Sequence, residues 1–345
     1  MSTADWLQAW DSCGIHRTGT AGDEAGAEWL AREAGALGGI VTIETFSFNR
    51  IDPITASIDG IPGVPVFDAP PTEPEGLTGK IDVVTLSPWA VYTPEYRVLR
   101  QRTGIDGLVI VSPGLGLLNA ERYREPYGCP AIHVAEAPIS APKLLISHYQ
   151  RSDIEARNVV VTIPGRDRSA APVVVMTPRS SWWHSTSERG GGLVCWLETL
   201  RALLAAPPAG DVIMTANTGH ELGHLGLDDF LARRPGWDKP GGAVWVHYGA
   251  NIGAAGSKLS VHSADDALRQ TAREAVVDID VVVPAERVPN GETRDIHLAG
   301  GRYVTLVGTN RLFHLPEDRW PSSVDVTKIG RDAKGAAAMV VGLTR

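Results

Sequence analysis

The sequence predicts an α/β protein in which a mostly parallel sheet forms the main domain and a small module interrupts it. Three observations carry that expectation. From residue 157 onward, apolar β-branched runs alternate with helical stretches, the pattern of strands joined by crossover helices. Between Ile51 and Pro74 the texture turns to Pro, Gly and Asp, as at a boundary or in irregular loops. A helix and a strand lie ahead of that boundary and match the pattern that resumes after it. The expected division is residues 1–51 with 157–345 for a discontinuous α/β domain, and 52–156 for the insert. The length of 345 residues suits one large domain or two unequal ones.

The elements follow in order. Residues 23–36, DEAGAEWLAREAGA, combine good helix formers with an acidic start, and Gly38-Gly39 ends the helix. IVTIETFSF alternates as a strand does. Within the insert, GKIDVVTL, IDGLVIVS and CPAIHVAEA read as strands, with a helix expected over PEYRVLRQRTG. RNVVVTIPG and APVVVMTP are apolar runs suited to a buried sheet. GGGLVCWLETLRALLAA is a helix, DVIMTAN a strand, LGLDDFLARRPG a helix and GAVWVHYGAN a strand. DDALRQTAREAVV and VTKIGRDAKGAAAMVVGL add outer helices.

Composition excludes several classes. A net charge of -8 argues against nucleic acid or an anionic membrane as partner. No apolar run reaches the length of a membrane span, and the start MSTADWLQAW has no basic region followed by an apolar one. A cytoplasmic location is expected. Cys13, Cys129 and Cys195 are odd in number and scattered, which speaks against a disulfide framework.

The chemistry concentrates around TANTGHELGHLGLDDF, residues 215–230. His220-Glu221-Leu222-Gly223-His224 matches the H-E-x-x-H pattern that zinc proteases carry in mid-helix. Here the preceding DVIMTANTG reads as a strand running into a Gly turn, and the position of a metzincin's third His holds Phe230. The expected placement is a loop at the carboxyl end of a parallel strand, where α/β enzymes build their sites. A second rich stretch is PRSSWWHSTSERGGG. Arg179 and Arg189 could clamp a substrate carboxylate. Ser181 and Trp182 would join them in binding, as would Asn251, just past the AVWVHYGAN strand. The alternative is that the tryptophans cap the core edge and the arginines form ion pairs. The run Gly190-Gly191-Gly192 could present N–H groups to an anion or allow close helix–sheet packing. No G-x-S-x-G elbow supports a serine nucleophile.

The chain resembles the di-zinc aminopeptidase clan, whose members include aminopeptidase Y, glutamate carboxypeptidase and glutaminyl cyclase. GHELGHLGLDDF resembles that clan's gEExGxxGSxxf segment, with His220 at the general-base position and Glu221 at a zinc-ligand position. FHLPEDRWPSSVD resembles its closing HtpxDt segment, placing His314 at a metal-ligand position. GETRDIHLAGGRYVTLVG resembles the stretch before it, with Asp295 at a typical acidic position. The insert resembles a protease-associated domain. The resemblance implies a zinc-exopeptidase-like three-layer fold.

The departures bear on function. Pro178 stands where the clan's ligand His belongs, Ser180 where its supporting Asp belongs, and Glu188 where its bridging Asp belongs. The late ligand Asp falls on Ala250 or Asn251. Two bridged metals, about 3.5–4 Å apart, need a shared carboxylate and further ligands on each side. At most one metal is therefore expected, zinc first, held by Glu188, Glu221 and His314 with His224 as an extra ligand. His220 would serve as base beside Glu221. The implied activity is hydrolysis of an amide or related bond in a small molecule or short peptide. A metal-free site of changed chemistry is the alternative, as is a non-catalytic binding or assembly homologue. Homo-oligomer formation stays open.

Overall fold

A computed structural model of the chain describes residues 1–66, 69–87, 98–99, 101–112, 128–138 and 142–345. The chain divides into two compact units. The first comprises Met1–Phe46, Glu155–Phe313 and Asp318–Arg345, and the second Ser47–Ile154 with His314–Glu317. Of the helix expected over residues 94–104, residues 94–97 and 100 lie outside the described residues.

The larger unit is built on strands β8 (Val173–Pro178), β9 (Val212–Asn217), β10 (Val244–Tyr248) and β13 (Arg302–Val307). They lie in the order β13-β10-β8-β9, all parallel. On one side β11 (Leu259–His262) pairs antiparallel with β13 and parallel with β12 (Ile279–Val282). On the other side β7 (Leu144–Ile163) pairs antiparallel with β9, and β1 (Ile40–Ile58) lies next to β7. Successive residues of a strand point to opposite faces, and the two faces fill different cores. Val173, Val175, Val212, Met214, Val246 and Tyr248 enter one cluster; Val174, Met176, Ile213 and Trp245 enter the other. The first cluster is covered by α1 (Thr3–Ser12), α2 (Ala21–Ala36), α3 (Thr186–Ala205), α5 (Asp266–Ala275) and α7 (Val326–Leu343). The second is covered by α4 (Leu225–Ala232) and α6 (Thr293–Leu298), through Leu227, Phe230 and Ile296. The result is the expected three-layer arrangement around a mostly parallel sheet.

Two helices differ from the sequence reading. Helix α1 was not singled out, yet Ser2 and Asp5 form a capping box and Trp6, Leu7 and Trp10 are buried. Helix α3 begins at Thr186, so Gly190-Gly191-Gly192 lie inside it rather than at its start. Their role is close packing. A Cβ on Gly191 would stand 1.8 Å from the Ile252 carbonyl oxygen, and one on Gly192 would stand 2.6 Å from Thr177 Oγ1. Gly191→Ala is expected to destabilise the protein by about 3 kcal/mol or more, because backbone has to move to admit the methyl group. Urea unfolding measures this directly, and an unchanged midpoint would refute the packing role.

Helix α7 carries a second testable feature. Asp332 is buried, with Lys328 Nζ 3.4 Å from its Oδ2. Burial pushes its carboxyl from 3.8 up to about 6, against the pull of Lys328. A folded-state value above the unfolded one means that the folded state holds the proton more tightly. This group's stabilising contribution is therefore present below pH 4 and lost as pH rises through about 6. Asp332→Asn is expected to be more stable than the native chain at pH 7 by on the order of 2 kcal/mol, with the difference gone near pH 4. Equal pH profiles for the two proteins would contradict this.

The smaller unit holds a four-stranded sheet. Strands β4 (Ile81–Thr85), β5 (Gly107–Val111) and β6 (Ala131–Val134) are parallel neighbours, and β3 (Val64–Pro65) pairs antiparallel with β6. Val109, Val111, Ile132, Val134, Leu144 and Ile146 belong to its core. The sulfurs of Cys13, Cys129 and Cys195 are thiols. Among the described residues, no helix is long and apolar enough to cross a membrane.

Candidate metal and acid–base site

The site lies beyond the carboxyl ends of β8, β9 and β10, where parallel strands hand over to loops. After Asn217 the chain does not continue as a helix through the H-E-x-x-H run. His220–Leu222 make one 3-10 turn, bracketed by left-handed Gly219 (φ 78°) and Gly223 (φ 83°). His224 is also left-handed, at φ 69°. Such a conformation disfavours a residue with a Cβ, so the surrounding contacts must hold it. The two histidines thus come together through a tight loop: their rings lie 5.2 Å apart, tilted by 35°.

Each ring has its Nδ1 on a carboxylate. His220 Nδ1 is 2.8 Å from Glu292 Oε1, and His224 Nδ1 is 2.7 Å from Asp295 Oδ2. Both carboxylates come from the segment that opens α6. Glu292 and His220 are buried, and their preferences are opposed. Burial, with the Arg189 charge, lowers the His220 pKa. Burial alone would raise Glu292, yet pairing with His220 and His247 holds it well below the usual carboxylate range. A neutral His220 donating its Nδ1–H to an ionised Glu292 satisfies both tendencies. Its ring lone pair then lies at Nε2. Among the described residues, His220, His224 and Glu292 form one group whose ligand atoms all lie within 4.8 Å of one another.

Glu221 has a different place. Its Oε1 accepts from Thr18 N (2.8 Å) and Thr18 Oγ1 (2.7 Å), and its Oε2 accepts from Ser180 Oγ (2.7 Å). Ser180 Oγ in turn accepts from His220 N at 3.0 Å. Glu221 therefore ties three loops together and fixes the backbone that carries His220. Burial raises its carboxyl pKa, while the Thr18 and Ser180 donors oppose that rise.

The other residues named from the sequence are distributed as follows. Glu188 is buried and its Oε1 is 2.7 Å from Arg189 Nη2. Arg189 Nε donates to the Ser180 carbonyl at 2.8 Å. Arg179 pairs with Asp23 Oδ1 at 2.7 Å and donates to the carbonyls of Asp23 and Arg157. Both guanidinium groups have 0% side-chain exposure. The carboxylate clamp is not the arrangement observed: the arginines are committed to internal ion pairs, buried rather than on the surface. Ser181 Oγ lies 2.7 Å from Ser185 Oγ, and Trp182 is buried with the Arg17 guanidinium 5.7 Å from its ring centroid. Asn251, left-handed at φ 68°, accepts from Asn310 Nδ2 at 3.1 Å. His314 is buried and belongs to the smaller unit. Glu188, Glu221 and His314 do not form a group with metal-ligand spacing among the described residues.

Glu292 was missed in the sequence. It sits in NGETRD, a loop with no periodicity, 72 residues from His220. The faint signal was a Gly-Glu pair directly before a short helix. Asp295, the partner of His224, was marked only through the family resemblance.

The donor set is chemically specific. Two imidazoles and one glutamate match a ligand set known for catalytic zinc. Ligating histidines commonly place their second ring nitrogen on a carboxylate or carbonyl, as His224 does on Asp295; the His220–Glu292 contact would have to open for both residues to ligate one ion. The residues therefore fit one zinc ion.

No family model matches the sequence, and no curated protein does. Solved structures do. BSAP, a zinc aminopeptidase from Bacillus subtilis, is 16% identical at a TM-score of 0.79, covering 99% of this chain and 94% of that one. Peptidase M28 precursor from Shewanella amazonensis is 13% identical at a TM-score of 0.78, covering 99% and 92%. An aminopeptidase from Aneurinibacillus sp. strain AM-1 is 11% identical at a TM-score of 0.73, covering 99% and 93%. The chain has the fold of the zinc aminopeptidases.

Proposed function

We propose that the protein is a hydrolase with an aminopeptidase-like fold and a rebuilt site, cleaving an amide or related bond in a small molecule or short peptide. The observation that carries this reading is the pairing of His220 with Glu292 and of His224 with Asp295 at adjacent points of one loop. His220, His224 and Glu292 would hold a single zinc ion. When bound, zinc supplies a Lewis acid and brings the pKa of water towards neutrality. Asp295 orients His224, and Glu221 with Ser180 anchors the loop. Burial, with the Arg189 charge, favours neutral His220, the state needed either to ligate or to accept a proton.

A metal-free reading is favoured by one specific observation, the 2.8 Å contact between Glu292 and His220, which is also the geometry of an acid–base dyad. The two readings separate in one assay. A panel of aminoacyl anilides and N-acyl amino acids is incubated with the purified protein, with and without chelator. Chelator-sensitive cleavage supports the metal reading, chelator-resistant cleavage supports the dyad, and no cleavage of any member counts against the hydrolase. We read the smaller unit as a protease-associated-like insertion, on its short parallel strands and its position between β1 and β7.

A further inference from the structure

Glu292 has a second imidazole on it. His247 Nε2 lies 3.4 Å from Glu292 Oε2, with both side chains buried. The ring projects from β10, and its partner in register on β13 is Thr305. Thr305 Oγ1 is 2.8 Å from His247 Nδ1, and Thr293 Oγ1 is 3.3 Å from the same atom. Gly291, at φ 69°, runs against both histidines: a Cβ there would stand 3.4 Å from His247 Cε1 and 3.9 Å from His220 Cε1. Thr305, His247, Glu292 and His220 form a continuous chain across two strands and two loops.

Proton counting gives this chain a direction. A neutral imidazole has one N–H and one lone pair. The Glu292 carboxylate facing Nε2 favours the His247 tautomer with its proton there, and Nδ1 then accepts from the Thr305 hydroxyl. The carboxylate makes a hydrogen bond with His220 at Oε1 and faces the His247 ring at Oε2 across 3.4 Å, a charge contact rather than a hydrogen bond. A carboxylate held at both ends cannot turn without giving up both contacts.

We propose that His247 is a positioning residue: anchored by Thr305, it holds one oxygen of Glu292 so that the other stays on His220 Nδ1. This fixes His220 in the tautomer whose lone pair lies at Nε2. The inference rests on the reading of His220 and Glu292 as site residues and is independent of whether a metal binds.

The test uses two substitutions that divide the ring's functions. His247→Gln places an amide donor near the former Nε2 and keeps the contact with Glu292. His247→Asn places its amide near the former Nδ1 and keeps only the Thr305 side. Side-chain 15N NMR of metal-free protein at one fixed pH reads which ring nitrogen of His220 carries the proton. The native chain and His247→Gln are expected to show His220 protonated at Nδ1, whereas His247→Asn shows a mixture of tautomers. Thr305→Val, which leaves His247 in place, is expected to shift His220 in the same sense as His247→Asn. An unchanged His220 signal in His247→Asn, or equal disturbance by Gln and Asn, overturns the proposal. Zinc titration of the same proteins tests the metal reading separately: affinity is expected to fall about 10–100-fold in His247→Asn and to stay near native in His247→Gln. A native chain that binds no zinc would sink the metal reading and leave the tautomer result standing.

Discussion

Glu292→Gln is expected to weaken zinc binding by more than about 100-fold, beyond the 10–100-fold typical of partners that stand behind a ligand. The substitution preserves shape and removes the charge. It takes away the one carboxylate of the candidate ligand group. Glu188→Gln is the informative contrast, because Glu188 was the ligand expected from the sequence. Its carboxylate already serves Arg189 at 2.7 Å, so this change should alter zinc affinity less than about tenfold. The cost should appear in stability, since the buried Arg189 would lose its counter-charge. Isothermal titration with zinc on the two variants decides between the ligand sets. Loss of binding in Glu188→Gln with binding kept in Glu292→Gln would restore the original assignment.

The second large effect concerns Arg179. It is buried against Asp23, and Thr218 Oγ1 is 3.0 Å from each Asp23 oxygen. Removing one partner of a buried pair leaves an uncompensated charge, which costs about 3–5 kcal/mol. Asp23→Ala and Arg179→Met are each expected to show a loss of that size in urea unfolding. Combining Asp23→Leu with Arg179→Met should recover much of it, because neither charge is then left alone. If Arg179→Met proved neutral for stability but weakened binding of a carboxylate-bearing substrate, the clamp would be the better description.

These contrasts show what the sequence held and what it withheld. The sheet was legible because its strands are apolar on both faces, and the two cores simply divide alternate residues between them. His220 and His224 were legible because they sit in one short motif, and the Gly turn before them already argued against a mid-helix site. Glu292 was hidden because its tie to His220 spans 72 residues and depends on a loop, where no periodicity fixes direction. Arg179 and Arg189 were read as substrate groups because composition shows charge but not the buried partner. For Arg179 that partner lies 156 positions away, in α2. Glu221 matched a ligand position in the family, yet it makes three hydrogen bonds to neighbouring loops. Chemistry that depends on which of several acids points inward is set by packing, and packing is not written in local sequence.

On the proposed reading, one metal is held by His220, His224 and Glu292. Its most direct test is the metal content of protein purified without chelators or affinity-tag metals, measured by elemental mass spectrometry beside His224→Ala. Close to one equivalent of zinc is expected in the native chain and almost none in the variant. Two equivalents, or one equivalent that survives His224→Ala, would contradict it.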